Sequence, residues 1–281
     1  MVTAQNRFLR VKLFLSLNIK SLINGLHFSR IIGRYNGPKI LLNSFPKAGT
    51  NLIENTLLQT PGLRRKIGRM ARLWNRQEVD KACLRIKSIK KGQFLSSHFI
   101  ADDKIFKTML ENEIKGIMII RDIRSKIISH FKYVSEIDLT HKTHSFFNNL
   151  QNDDEKISSI IDGVPNIVAS LDEELNRYQG WLDNPNILVV RFEDLVGEMG
   201  GGSKLKQKES LNKIFNFLDI KISEKQFDQI QSKIFSRKVR TFRSGKTNNW
   251  KKYLKKSHIQ KIKSKAGQWL ITNGYEKNNE W

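Results

Sequence analysis

Short apolar runs alternating with longer stretches of helical period are the feature that most constrains this chain. The runs predict strands at 39–45, 93–99, 114–121 and 186–192, and the intervening periodicity predicts helices at 50–60, 124–135, 167–182 and 208–220. Strands separated in this way pair in parallel through crossover helices, so the expected class is α/β: a single domain with a central parallel β-sheet flanked by helices. Ligands of such sheets collect beyond the carboxyl ends of the strands. The residues found there are "PKAGTN" (46–51), "SSHF" (96–99), "RDIRSKIISH" (121–130) and "EDL" (193–195), with "TFRSGKTNNWKKYL" (241–254) following late in the chain. Segments 141–156 and 196–208, where Gly, Asn and charge displace the apolar period, read as loops.

The 281 residues suffice for one sizeable core, and no internal repeat is present. The expected organisation is a basic amphipathic segment over 1–37, a domain over 38–272 and a tail over 273–281. A hydrophobic fraction of 39% with 16 Phe and 5 Trp excludes a wholly disordered chain. Cys83 is the sole cysteine, which rules out an intramolecular disulfide and a cysteine-based metal site, and fits a reducing, cytoplasmic compartment.

Lys and Arg number 50 against 27 Asp and Glu, a formal charge of +23. The excess lies in blocks: residues 1–39 hold seven Lys/Arg, 64–76 hold six and 233–265 hold thirteen, all three without an Asp or Glu. Such blocks suit anionic ligands, polyanionic substrates or an anionic membrane surface. In the first block Phe8, Val11, Leu15, Ile19, Leu22 and Leu26 share a helical period, giving a basic amphipathic helix. Its uncharged run between Lys12 and Lys20 falls far short of the ~20 residues a bilayer span needs. Packing on the domain is the first reading of this helix, a membrane-surface helix the second and a targeting segment the third.

The loop after the first strand carries the chemistry. A helix start with exposed N–H groups, its dipole and a nearby ammonium make an anion site, and Lys47, Gly49, Thr50 and Asn51 stand there. A triphosphatase loop places lysine after glycine and follows it with a hydroxyl that holds magnesium. Here Lys47 precedes Gly49 and Ala48 follows the lysine, so that metal ligand is missing. A sulfuryl group, with one negative charge, can be moved with a lysine in place of a metal.

These segments together resemble the sulfotransferases that use 3′-phosphoadenosine 5′-phosphosulfate (PAPS). The resemblance spans roughly 38–254 and rests on four segments in the family's order. "FPKAGTNLI" resembles the 5′-phosphosulfate loop and "RDIRSKIIS" the 3′-phosphate motif. "RFEDLV" with "IFNFLDI" resembles the helper strand and helix, and "FRSGKTNNW" the late basic loop. It implies a P-loop nucleotide-hydrolase-like sulfotransferase fold, with Lys47, Gly49, Thr50 and Asn51 on the 5′-phosphosulfate. Arg121, Ser129, Arg243 and Gly245 would hold the 3′-phosphate of PAPS and of its product, 3′,5′-adenosine bisphosphate (PAP), and no metal is called for.

His98 matches the family's catalytic base, which takes the proton of an attacking hydroxyl or amine. Some sulfotransferases of sugar chains use a glutamate instead, and Glu54 is the substitute candidate. Asp138, His141 and His144 have spacings open to zinc but read as solvated loop, His130 as a packing or capping residue, and Lys126 and Lys132 as water-facing. The chain departs from the family where Leu52 replaces a tryptophan, Phe192 a tyrosine, Ser244 a lysine and Asn248-Asn249 a Gly-Asp pair. The expected acceptor is a hydroxyl compound, with the basic blocks favouring a carbohydrate or glycolipid, and an anionic membrane surface is a candidate partner. Two rivals stand beside this reading: a P-loop kinase or hydrolase dependent on magnesium, and a non-enzymatic polyanion binder; no specific nucleic acid is expected.

Overall fold

A computed structural model describes residues 36–68, 70–73, 75–139, 141, 143–235 and 247–281. The amphipathic segment predicted over 1–37 lies outside the described residues except for its last two, and so do Arg243 and Gly245. The four predicted strands are present as β1 (Lys39–Ser44), β4 (Gln93–Phe99), β5 (Ile114–Ile120) and β6 (Ile187–Arg191). Two more, β2 (Arg64–Arg65) and β3 (Ala71–Leu73), lie within the basic block 64–76. They were not predicted because two or three residues cannot display an alternation.

The sheet runs β2-β4-β1-β5-β6, with β3 also on β4, and every pairing is parallel. β1 is the pivot. The chain returns from β1 to pair β4 on one side of it, then crosses to lay β5 on the other. That reversal opens a crevice at the carboxyl end of β1.

Helices α1 (Thr50–Gln59), α4 (Ile123–Lys132), α7 (Leu171–Asp183) and α9 (Lys204–Leu218) correspond to the four predicted ones. Alongside them the described residues form α2 (Val79–Lys87), α3 (Asp103–Glu111), α5 (His144–Asn148), α6 (Asp153–Asp162), α8 (Phe192–Leu195), α10 (Glu224–Lys233) and α11 (Lys256–Thr272). Two predicted loops are thereby corrected. Segment 141–156 contains α5 and the start of α6, where Asn152 accepts a hydrogen bond from the Glu155 amide as an N-cap. Segment 196–208 contains the start of α9, capped by Ser203. In both cases polar residues that resemble loop chemistry are helix-start chemistry. The predicted start of the third helix moves from 167 to Leu171, where Ser170 and Glu173 close a capping box.

The central strands are buried on both faces and alternate between two cores. Leu41, Leu95, Phe99, Met118 and Ile120 join the core built with α2, α3, α4, α6, α7 and α11. Ile40, Leu42, Phe94, Ile117 and Ile119 join the core under α1, α9 and α10. Two covered faces explain why these strands read as continuous apolar runs. At the site end the sheet is pinned by a buried amide: Asn43 Oδ1 accepts from the Phe99 N–H (2.8 Å) and Ser97 Oγ (2.9 Å), and its Nδ2 donates to the Phe99 carbonyl (2.9 Å).

Candidate active site

The loop between β1 and α1 is shaped by two left-handed residues, Lys47 (φ 70°) and Gly49 (φ 106°). At Gly49 only glycine fits, since a Cβ there would lie 2.4 Å from Cδ2 of Phe192. Lys47 holds the same region against a cost of about 1–2 kcal/mol for a residue with a Cβ. The result is a bare helix start: α1 has no side-chain cap and no carboxylate in its first turn. The start of α4 is different, because the Asp122 carboxylate already accepts from the Arg124 amide. The amides opening α1 are therefore the ones left for an incoming anion.

Lys47 Nζ lies 3.6 Å from the centroid of the Tyr133 ring. Burial first and the Arg121 charge second, opposed by Asp138, lower its pKa to about 8. A desolvated ammonium beside a guanidinium is a strong lure for a polyanion. Tyr133 begins a turn of π-helix, Tyr133–Ile137, where the predicted helix 124–135 departs from α geometry.

His98 stands near the end of β4, buried. Its Nδ1 lies 2.8 Å from the Ser44 carbonyl and 3.1 Å from Ser44 Oγ, which in turn is 2.7 Å from Thr50 Oγ1. A carbonyl only accepts, so Nδ1 carries the proton and Nε2 the lone pair. Burial lowers the pKa of His98 to about 4, with the Ser44 carbonyl opposing and Arg72 and Lys47 assisting. The ring is thus neutral at physiological pH, the state required of a base.

Arg121 follows β5. Its Nη1 donates to the Lys47 carbonyl (3.4 Å), and its guanidinium lies 4.4 Å from the Phe192 ring centroid. Burial lowers its pKa, opposed by Glu193 and Asp122. Glu193 is itself held by the Asp122 amide (3.1 Å) and the Tyr275 hydroxyl (3.2 Å), and burial raises its pKa. Beneath this, buried Arg124 pairs with Asp122 (2.7 Å) and Glu276 (2.5 Å), its guanidinium 4.3 Å from the Trp250 ring centroid and 4.4 Å from that of Trp281. Trp250 thus braces the turn that aims Arg121.

One cavity of about 1510 Å³ gathers Lys47, Gly49, Thr50, Asn51, His98, Arg121 and Ser129. Seven sequence-predicted site residues from three strand ends and two helices converge there; Arg243 and Gly245 lie outside the described residues. Leu52 and Phe192, the two apolar departures, also line it. Glu54 does not: it is buried and faces Arg65 at 3.5 Å. Lys126 does not face water, as predicted from its charge, because α4 is enclosed on several sides and buries it against Glu174 in an ion pair.

Asp138 accepts from the Tyr133 hydroxyl (3.0 Å), His141 bonds Thr143 (2.8 Å) and His144 the Val134 carbonyl (2.7 Å). No cluster of three metal-ligating side chains occurs among the described residues. Sequence reasoning missed Tyr133 and Ser44, whose contacts depend on strand order and carry no local signal. Among the described residues, no helix is long and apolar enough to cross a membrane.

No curated protein sequence matches the chain. Among solved structures, a mouse sulfotransferase, SULT7A1, complexed with PAP has a TM-score of 0.60 at 16% identity, covering 84% of this chain and 85% of that one. A retinol dehydratase in complex with androsterone and inactive cofactor PAP has a TM-score of 0.57 at 13% identity, covering 84% and 81%. These likenesses concern the fold. The family model of the sulfotransferase domain matches residues 37–274, nearly the whole of the described sheet and its helices, and the chain belongs to the sulfotransferase family.

Proposed function

We propose that this sulfotransferase moves the sulfuryl group of PAPS to a hydroxyl of a carbohydrate or glycolipid acceptor. The observation that carries this reading is the single cavity in which a bare helix start, a desolvated lysine, a buried arginine with a serine, and a neutral histidine meet. The donor suits these residues: its 5′ end calls for the α1 amides and Lys47, its 3′-phosphate for Arg121 and Ser129. The charged lining and the basic blocks of the sequence support a polar acceptor.

His98 Nε2 receives the proton of the acceptor hydroxyl as the oxygen bonds to sulfur. The bond from sulfur to the bridging phosphate oxygen breaks, and its electron pair stays with the departing PAP. Lys47 stabilises the charge that grows on that oxygen. The Ser44 carbonyl holds the imidazole in the one tautomer that leaves Nε2 ready.

Calorimetry with PAP, in the presence of a chelator, and with ATP plus magnesium tests the donor assignment. Binding of PAP and not of ATP is expected; the reverse would favour a kinase.

Gly49→Ala is expected to weaken PAP binding by about tenfold or more, because the new methyl requires Phe192 to move and the loop to leave φ 106°. Circular dichroism unchanged from wild type, with PAP affinity retained, would show that the loop conformation is dispensable.

The pH profile of kcat/KM for PAPS follows from the two perturbed groups. Lys47 attracts the donor while protonated, so the parameter should fall as pH rises through about 8. His98 stays neutral down to about 4, so no loss of base is expected near pH 6.5. An acidic limb near 6.5, or an alkaline limb that persists in Lys47→Arg, would contradict this assignment.

A further inference from the structure

The charges lining the cavity are unevenly compensated. Its carboxylates are all engaged: Asp138 by the Tyr133 hydroxyl (3.0 Å), Asp162 by Lys261 (2.5 Å), Glu174 by Lys126, and Glu173 by the Ser170 amide (3.0 Å). Lys132 and Lys265 are likewise paired, with Glu136 (2.7 Å) and Asp172 (2.9 Å). Arg72 and Arg177 also line the cavity, both exposed, and among the described residues neither side chain makes an ion pair or hydrogen bond. Two arginines are thus left with their charge unanswered.

Strand order fixes where they stand. Arg72 on β3 is the register partner of His98 on β4, and partners in adjacent strands project to the same face about 4.8 Å apart. Arg177 on α7 is fastened just beyond the end of β4, its carbonyl accepting the Ala101 amide (2.7 Å), and it lines the same cavity. Across the sheet edge the sequence is therefore Arg72, His98, the phosphosulfate loop, then Arg121. The residues assigned to the donor stand on the β1 and β5 side, which leaves the two arginines for the side from which an acceptor would reach His98. The positive contribution of Arg72 to lowering the His98 pKa is consistent with this proximity.

We propose that the acceptor carries a carboxylate near the hydroxyl that is sulfated, and that Arg72 and Arg177 bind it. Guanidinium groups match a planar carboxylate through charge-assisted bonds, and no carboxylate of the cavity answers these two. The inference rests on the sulfuryl-transfer reading and deepens it: the acceptor is an acidic sugar.

Two probes that differ only in that group are 4-nitrophenyl β-D-glucuronide and 4-nitrophenyl β-D-glucoside. Turnover of each by the full chain is followed as transfer of labelled sulfate from PAPS. The glucuronide should be preferred in kcat/KM by about tenfold or more, and Arg72→Gln with Arg177→Gln should bring the ratio close to unity. Equal use of the two probes, use of neither, or a preference that survives the double variant overturns the proposal. Calorimetry with PAP on the same preparations separates the two levels. PAP binding together with any of those outcomes refutes the acidic acceptor alone, whereas absence of PAP binding refutes the donor assignment beneath it.

Discussion

Lys47→Ala is expected to lower kcat by about 10²–10³-fold and to weaken PAP binding as well, with the fold intact. The ammonium is the sole side-chain cation of the phosphosulfate loop. It lies against the Tyr133 ring and is desolvated, which lowers its pKa to about 8. In the proposed mechanism its charge answers the charge that develops on the leaving phosphate, so its removal raises the barrier more than it loosens the ground state. Removing a residue from the left-handed region of the backbone relieves little, since alanine meets the same restriction. Single-turnover rates with saturating PAPS check the prediction. A Lys47→Ala enzyme within a few-fold of wild type would show that the leaving oxygen is stabilised by other groups.

His98→Ala should reduce kcat by about 10²–10⁴-fold while leaving PAP affinity close to wild type. The asymmetry arises from position: His98 belongs to β4 and shares its Nδ1 proton with the Ser44 carbonyl, whereas the groups suited to the donor open from β1 and β5. His98→Gln is the informative companion, since it keeps a polar side chain and removes the base. Glu54 is buried against Arg65 and does not line the cavity, so it has no route to substitute. Full activity of His98→Ala would eliminate proton abstraction by this ring.

The central strands were legible in the sequence because a parallel sheet covered on both faces favours runs of apolar residues, as in Ile40–Leu42 of β1 and Ile117–Ile120 of β5. The site followed from them, since each strand end announces its own chemistry: Lys47 after β1, His98 within β4, Arg121 after β5. β2 and β3 were hidden by their brevity and by arginine, and with them the register that sets Arg72 beside His98. α5 and α6 were hidden because Asn152 and the acids after it serve a helix start as readily as a loop. Lys126 was misplaced because burial of a lysine depends on finding Glu174 on another helix, which no local pattern reveals. The contacts of Glu193 with Tyr275 and of Arg124 with Trp250 and Trp281 are tertiary in the same sense: they exist only once β6 and the chain beyond α11 close on the turn after β5.

The most direct test of the account is a crystal structure of the protein grown with PAP. The account predicts the 5′-phosphate on the opening amides of α1 beside Lys47, and the 3′-phosphate at Arg121 and Ser129. A nucleotide bound elsewhere, with the carboxyl end of β1 left empty at saturating PAP, would contradict it.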